Sequence, residues 1–321
     1  VITRDGQVVG RGWHKETGQA HAEINALVEA GDSAVGGTAY VTLEPCSHTG
    51  RTPPCVDALI DAEIARVVFA IDDPNPDVNG SGRQRLQQAG IDVQRGLMAR
   101  EAEELNAGFL KRMRHGLPWV RIKLAQSMDG HIALSNGSSQ WISGPESRTD
   151  VQHWRARSDV ILTGIGTVQA DDPSLNVRIG KNTRQPTRVV VDGQWRTPVG
   201  ARLLGLPGDT LIAGLDEKPV PEILKEKATG IVCLPSGQGG VDLLALLREL
   251  ARREFNEVQV ESGAALSGSL LQQGLVDEIL IYQSPAILGG GAISPFASPR
   301  LDKMDERVHL QWIDARFIGK D

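Results

Sequence analysis

The chain has 321 residues, more than one domain of ordinary size holds, so two domains are expected. Hydrophobic residues make up 40% and charged residues 23%, which excludes a disordered or fibrous chain. A net charge of −6, from 34 basic and 40 acidic residues, argues against a broad nucleic-acid surface, and the absence of any apolar run of about eighteen residues argues against a membrane partner.

Strand-like Val1-Ile2-Thr3 opens the chain with neither Met nor signal peptide, which predicts that an N-terminal segment of the gene product precedes it. Asp5-Gly6 reads as the turn of a hairpin to residues 7–9. Helical patterning over 21–30 stops at Gly31. The β-branched and aromatic run 38–43 predicts a strand, and a loop over 44–54 leads to a helix at 55–62 started by Pro53-Pro54. A strand at 66–71, a helix at 83–88 and a strand at 91–94 follow. A long helical run, 98–114, ends at His115-Gly116, and Pro118 prevents its continuation. The domain boundary is placed there, giving domains at 1–116 and 117–321. A second series then begins at 119–125, with strands at 160–163, 187–191, 210–213, 258–260 and 278–283 and helices at 145–156, 241–252 and 265–273. The Gly-, Pro- and charge-rich stretch 205–240 is expected to be the most irregular. Alternating strands and helices predict an α/β layer structure.

Cys46, Cys55 and Cys233 are too few and too uneven for a disulfide framework, which fits a reducing, cytoplasmic setting. Two of them share a Pro/Gly-rich loop, and His21-Ala22-Glu23 precedes it. Zinc takes nitrogen and sulfur ligands, and a catalytic site keeps its fourth position for a water whose pKa the metal lowers. His21, Cys46 and Cys55 are the candidate ligands. Glu23 is the candidate catalytic residue, taking a proton from that water and passing it to a leaving amine. Positions i and i+2 do not share a helix face, so this geometry needs the metal beyond the helix end. A structural zinc with His48 as fourth ligand is the alternative, and a lone Cys is usually a small buried hydrophobe. The order H-x-E, P-C, C matches the zinc-deaminase signature, and a structural site has no use for Glu23. The common form of that signature is P-C-x-x-C, whereas here residues 47–54 separate the cysteines.

The wide loop Thr42-Leu-Glu-Pro-Cys-Ser-His-Thr-Gly-Arg-Thr-Pro-Pro-Cys55 resembles that of the bifunctional deaminase–reductases of riboflavin biosynthesis. So do residues 18–23, Asp73-Pro-Asn-Pro76 and Asn106-Ala-Gly-Phe-Leu-Lys-Arg-Met113. The likeness continues through Lys123-Leu-Ala-Gln-Ser-Met-Asp-Gly130, Trp141-Ile-Ser-Gly144, residues 164–173 and Glu261-Ser-Gly-Ala-Ala-Leu266, in the family's order. It implies a cytidine-deaminase-like three-layer α/β/α domain followed by a dihydrofolate-reductase-like α/β domain. It also implies two reactions on a small phosphoribosyl-pyrimidine: zinc-dependent deamination, then NADPH-dependent reduction of its ribosyl group to ribityl. The resemblance implies His21, Cys46 and Cys55 as zinc ligands and Glu23 as proton shuttle, with His48 and Arg51 holding substrate. A homodimer through the reductase domain is implied too. The family's asparagine-bearing segment before the first strand is absent, so an incomplete deaminase pocket is expected. The rival reading is a cytidine- or tRNA-type zinc deaminase joined to an unrelated nucleotide-binding domain.

Hydride transfer needs a nicotinamide held against the electrophilic carbon. Gly164-Ile-Gly166 lacks the third glycine of a dinucleotide fingerprint and is rejected. Gly263-Ala264-Ala265-Leu266-Ser267-Gly268-Ser269 follows a strand and opens a helix, so its N–H groups suit a phosphate. By resemblance the cofactor contacts Ala125, Trp141, Thr167, Asp171 and that 263–269 segment. The substrate contacts Ser139, Arg155, Leu175, Arg178 and Glu261. Lys123 and Asp171 are the titratable groups expected to move protons during ring opening.

Overall fold

Alternating apolar runs and turn residues build two main sheets and a two-stranded hairpin in the computed structural model, which describes residues 1–16, 18–50, 52–75, 80–180, 183–297 and 301–321. The chain divides into two units, Val1–His115 and Gly116–Asp321.

In the first unit the elements are β1 (Ile2–Arg4), β2 (Gln7–Gly10), α1 (Ala22–Ala30), β3 (Thr38–Leu43), α2 (Cys55–Asp61), β4 (Arg66–Ile71), α3 (Ser81–Gln88), β5 (Asp92–Arg95), α4 (Ala99–Leu105) and α5 (Ala107–His115). The sheet order is β2-β1-β3-β4-β5, antiparallel as far as β3 and parallel from β3 to β5. Side chains alternate across β4. Val67 and Phe69 pack with Ala26 of α1, Val56 and Leu59 of α2 and Leu86 of α3. Ala70 packs with Ala102 of α4 and Leu110 of α5. The unit is therefore a three-layer α/β/α sandwich. The helical run expected over 98–114 is two helices. Asn106 leaves helical geometry (φ −106°), and its Nδ2 donates to the Ala102 carbonyl at 2.8 Å. An asparagine amide competes in this way for helix carbonyls.

The second unit comprises β6 (Trp119–Ser127), α6 (Pro145–Arg157), β7 (Val160–Gly164), α7 (Ile165–Asp171), β8 (Thr187–Val191), β9 (Thr210–Leu215), α8 (Glu222–Lys227), β10 (Gly230–Leu234), β11 (Ser236–Gly237), β12 (Gly240–Val241), α9 (Leu243–Arg252), β13 (Glu257–Val260), α10 (Ala264–Gln272) and β14 (Glu278–Ser284). Its main sheet, β10-β9-β8-β7-β13-β6-β14, is parallel at every pairing. Such a sheet is covered on both faces, which explains the nearly unbroken apolar runs of β7 and β9. Leu243, Leu246, Leu247 and Leu250 of α9 cover one face, against Val120, Val258 and Val260. Val168 of α7 packs with Val190, and Leu224 of α8 with Ile212.

The stretch 205–240 is more regular than expected, holding β9, α8, β10 and the β11–β12 hairpin. Helix α8 is short and buries mainly Leu224, so it has no periodic stripe to reveal it. Helix α9 starts at Leu243 rather than Val241, because Asp242 caps it by accepting from the Ala245 N–H at 2.9 Å. Among the described residues no helix is long and apolar enough to cross a membrane.

Candidate metal centre and cofactor site

Three chain segments deliver the sulfur and nitrogen donors of the first unit. His21 is the N-cap of α1, in extended conformation, and Glu23 sits in the first helical turn. Cys46 leaves the loop after β3, and Cys55 is the first residue of α2. The His21 Nδ1 lies 3.5 Å from Cys46 Sγ and 3.2 Å from Cys55 Sγ, and all three donor atoms fall within 4.8 Å of one another. Tetrahedral zinc with bonds of about 2.3 Å to sulfur and about 2.1 Å to nitrogen requires N···S separations near 3.6 Å. The donor set thus fits zinc in both chemistry and spacing. His48, exposed and lining the same pocket, is not among the three clustered donors.

Packing fixes this arrangement. The buried Glu44 carboxylate accepts from the Gly80 and Arg83 N–H groups, each at 3.0 Å, which ties the loop before Cys46 to α3. A Cβ on Gly82 would meet the Pro45 carbonyl at 2.1 Å, so α3 approaches this loop through glycine. The Cys55 N–H donates to Cys46 Sγ at 3.3 Å. The Cys55 thiol donates as well, and Cys46 is pushed down to about 4 with added help from His21. Cys55 moves up, as the thiol that keeps the proton and as a buried group. Hydrogen bonding to Cys46 raises the His21 imidazole. Burial raises the Glu23 carboxyl above the usual range, and the Cys46 charge adds to this. Such a carboxylate takes up a proton readily.

A pocket of about 200 Å³ opens on the cluster, lined by His14, Gly18, His21, Cys46, His48, Gly50 and Thr52. His14 and Thr52 were not expected. The His14 ring stands edge-on to that of His21 at 5.2 Å, and Thr52 Oγ1 lies 3.3 Å from His21 Nε2. Sequence reasoning missed His14 because no spacing rule connects it to the ligands; it arrives through the coil between β2 and α1. Thr52 stood inside the motif loop unremarked. Glu23 lines a second cavity of about 150 Å³ together with Tyr40, Val41 and Thr42. Arg51 lies outside the described residues.

In the second unit, Glu261 follows β13 and Arg155 comes from α6. The Arg155 guanidinium donates to both Glu261 oxygens at 2.7 Å, and Gln259 Nε2 donates to Oε1 at 2.8 Å. Burial opposes ionisation of Glu261, but Arg155 outweighs it and holds the carboxyl down at about 2. Burial lowers the Lys123 ammonium, although Glu261 partly offsets this, and its Nζ lies 5.5 Å from the Tyr282 ring centre. Burial and repulsion from Arg155 lower Arg178 as well. Lys123, Arg155, Arg178 and Glu261 thus form one electrostatic cluster. Leu175 is buried, with a left-handed backbone (φ 46°), one residue before the Asn176 carbonyl that accepts from Arg155 at 3.0 Å. Ser139 is half-buried.

The cofactor candidates separate into groups. Thr167 in α7 accepts from the Gly263 N–H at 3.2 Å, joining those two positions. Gly263 is the N-cap of α10 and has no capping side chain, so the first-turn N–H groups of Ala264 and Ala265 suit a phosphate. Ser267 and Gly268 are buried inside α10, and a Cβ on Gly268 would meet the Ala297 carbonyl at 2.5 Å. Leu266 packs on the core, and Ser269 lies within the helix. Trp141 is exposed, with the Arg148 guanidinium 4.7 Å from its ring centre. Ala125 pairs with Tyr282 across β6 and β14. Asp171 ends α7, exposed to solvent.

The family profile described as the cytidine and deoxycytidylate deaminase zinc-binding region matches residues 1–71, and the one described as the RibD C-terminal domain matches residues 118–321. The second match excludes an unrelated partner domain. The riboflavin biosynthesis protein RibD of Escherichia coli (strain K12) is 47% identical over 335 residues, spanning 100% of this chain and 90% of that protein. A solved Acinetobacter baumannii RibD structure is 42% identical, with TM-score 0.91 over 100% of this chain and 88% of that one. A Thermotoga maritima diaminohydroxyphosphoribosylaminopyrimidine deaminase/5-amino-6-(5-phosphoribosylamino)uracil reductase is 29% identical, with TM-score 0.85 over 99% and 87%. Both folds and the wide-spaced cysteine pair are thereby accounted for together: the chain belongs to the RibD family of riboflavin biosynthesis proteins.

Proposed function

We propose that this chain is a bifunctional riboflavin-pathway enzyme acting on one small phosphoribosyl-pyrimidine. Its first unit deaminates diaminohydroxyphosphoribosylaminopyrimidine with zinc, and its second reduces the ribosyl group of the product to ribityl with NADPH. The observation that carries the reading is the convergence of His21, Cys46 and Cys55 beside Glu23, in a chain whose other unit is a RibD C-terminal domain.

Bound zinc supplies a Lewis acid that makes a water acidic enough to attack near neutral pH. Glu23 accepts a proton on its carboxylate and returns it to the departing amine. His48, with His14 and Thr52 beside it, orients the pyrimidine, and Arg51 holds the substrate phosphate with its fork of donors. In the second unit NADPH supplies the hydride. Ala125, Trp141, Thr167, Asp171 and the 263–269 segment bind this cofactor, the phosphate resting on the first turn of α10. Arg155, Arg178, Glu261, Ser139 and Leu175 bind the sugar phosphate. Lys123 is the better placed of the two proton-transfer candidates, since burial lowers its ammonium beside Glu261. Asp171 is exposed and serves the cofactor side. A homodimer through the second unit and a cytoplasmic location complete the reading.

A coupled assay tests it. Zinc-loaded protein given the pyrimidine and NADPH should release ammonia first and consume NADPH only afterwards. Consumption of NADPH without a deaminated product, or no ammonia release at all, would overturn the reading.

A further inference from the structure

Lys123 is held by an aromatic ring where a lysine inside a protein normally meets a carboxylate or carbonyl oxygens. Among the described residues its Nζ has no hydrogen-bond acceptor and no ion-pair partner, and it lies over the face of Tyr282, 5.5 Å from the ring centre. The sheet produces this contact. Strands β6 and β14 run parallel, with Lys123 opposite Leu280 and Ala125 opposite Tyr282. Side chains alternate along a strand, so Tyr282 stands diagonally beyond Lys123 on the same face.

Tyr282 is itself fixed. It is 4% exposed, and its hydroxyl donates to Asp150 Oδ2 of α6 at 2.6 Å. Asp150 also accepts from Trp154 Nε1 at 3.2 Å and pairs with Arg316. Burial and the Asp150 carboxylate hold the Tyr282 hydroxyl far above its ordinary value, so it stays a neutral donor. Its proton is committed to α6, and the ring offers Lys123 only its π face. Such a face carries negative density and attracts a cation. The other charges around Lys123 are already engaged. Glu261, after β13, favours the ammonium, and Arg155 of α6 opposes it, but these two bond to each other. Arg178 shares the field of that pair. Arg121, two residues back on β6, donates to Glu257 and Glu278.

We propose that Tyr282 is a positioning residue of the reductase: tethered to Asp150, its ring holds the Lys123 ammonium in place and favours its charged form. The inference rests on the proton-transfer role given to Lys123 above.

Tyr282→Phe and pentafluorophenylalanine at position 282 test it in the full chain. Both keep the ring and lose the hydroxyl, so they share any cost in packing. Only fluorination strips the negative face. The titration of Lys123 is followed by NMR in protein labelled at the lysine ε-carbons, its signal assigned by its disappearance in Lys123→Met. Tyr282→Phe should titrate close to wild type. The fluorinated protein should titrate lower by about half a unit to one unit, because the ammonium has lost the face that favours it. With the deaminated product supplied, the limb of the pH profile of NADPH oxidation that follows Lys123 should move down with it. Equal titration of Lys123 in the two ring variants would overturn the positioning role. Oxidation of NADPH by Lys123→Met at the wild-type rate would instead overturn the proton-transfer reading of Lys123, and the reductase role of Tyr282 with it, whatever the titration shows.

Discussion

Glu23 and the Arg155–Glu261 pair show how burial sets the chemistry of single side chains. Glu23→Gln keeps the shape of the site but removes the proposed proton acceptor. Ammonia release should fall by about a hundredfold or more while zinc content, read by atomic absorption, stays near one per chain; substantial retained deamination would remove Glu23 from its role. Arg155 matters differently, because it neutralises a buried carboxylate. Arg155→Leu strands that charge and should cost about 3–5 kcal/mol of second-unit stability in denaturant unfolding. The pair also makes an acid prediction. Glu261 is depressed from 4.5 to about 2 in the folded state, so its stabilising contribution is present above the unfolded value. It should be lost as pH falls between those two values, and Glu261→Gln should flatten that part of the stability–pH curve. The clustered donors His21, Cys46 and Cys55 could be named from residue types and their order in the chain, since few side chains suit zinc. His14 could not, because its place beside His21 depends on the path of a coil that carries no periodic signal.

Elements meet at the metal centre because backbones approach closely. A Cβ on Gly12 would meet the Ala22 carbonyl at 2.1 Å and the Ala26 nitrogen at 2.5 Å, so α1 lies directly on the strand-exit segment. Asn25 reinforces this by donating to the Trp13 carbonyl at 2.9 Å. Gly12→Ala should therefore push the start of α1 outward and carry His21 with it. The expected outcome is a stability loss of about 1–3 kcal/mol with weaker zinc retention on dialysis. Unchanged zinc affinity would mean that α1 does not depend on this contact. At this scale strong periodicity was readable and weak periodicity was not. The strands β3, β4, β7 and β8 were expected within a residue or so of their observed bounds, because β-branched runs between turn residues leave little choice. Neither helix α7 nor helix α8 is expected from the sequence, the first beginning in Gly164-Ile-Gly166, weighed only as a dinucleotide fingerprint, and the second having one main core anchor. The break at Asn106 depends on one side-chain hydrogen bond that hydrophobic patterning does not record.

The two units have separate hydrophobic cores, and all three zinc donors lie in the first. A chelator should abolish ammonia release while NADPH oxidation with the deaminated product supplied directly continues at about its original rate. Loss of both activities would show that metal supports the second unit as well. The sequence by itself named the three candidate zinc donors that the fold brings together, the α/β class and, through the wide cysteine loop, the family. Ligand chemistry and strand periodicity are local properties, set by residue type and spacing. Only the tertiary structure decided which distant groups share a charge environment. Lys123, Arg155, Arg178 and Glu261 come from separate segments, and their ionisation depends on burial and mutual distance, which no local pattern encodes.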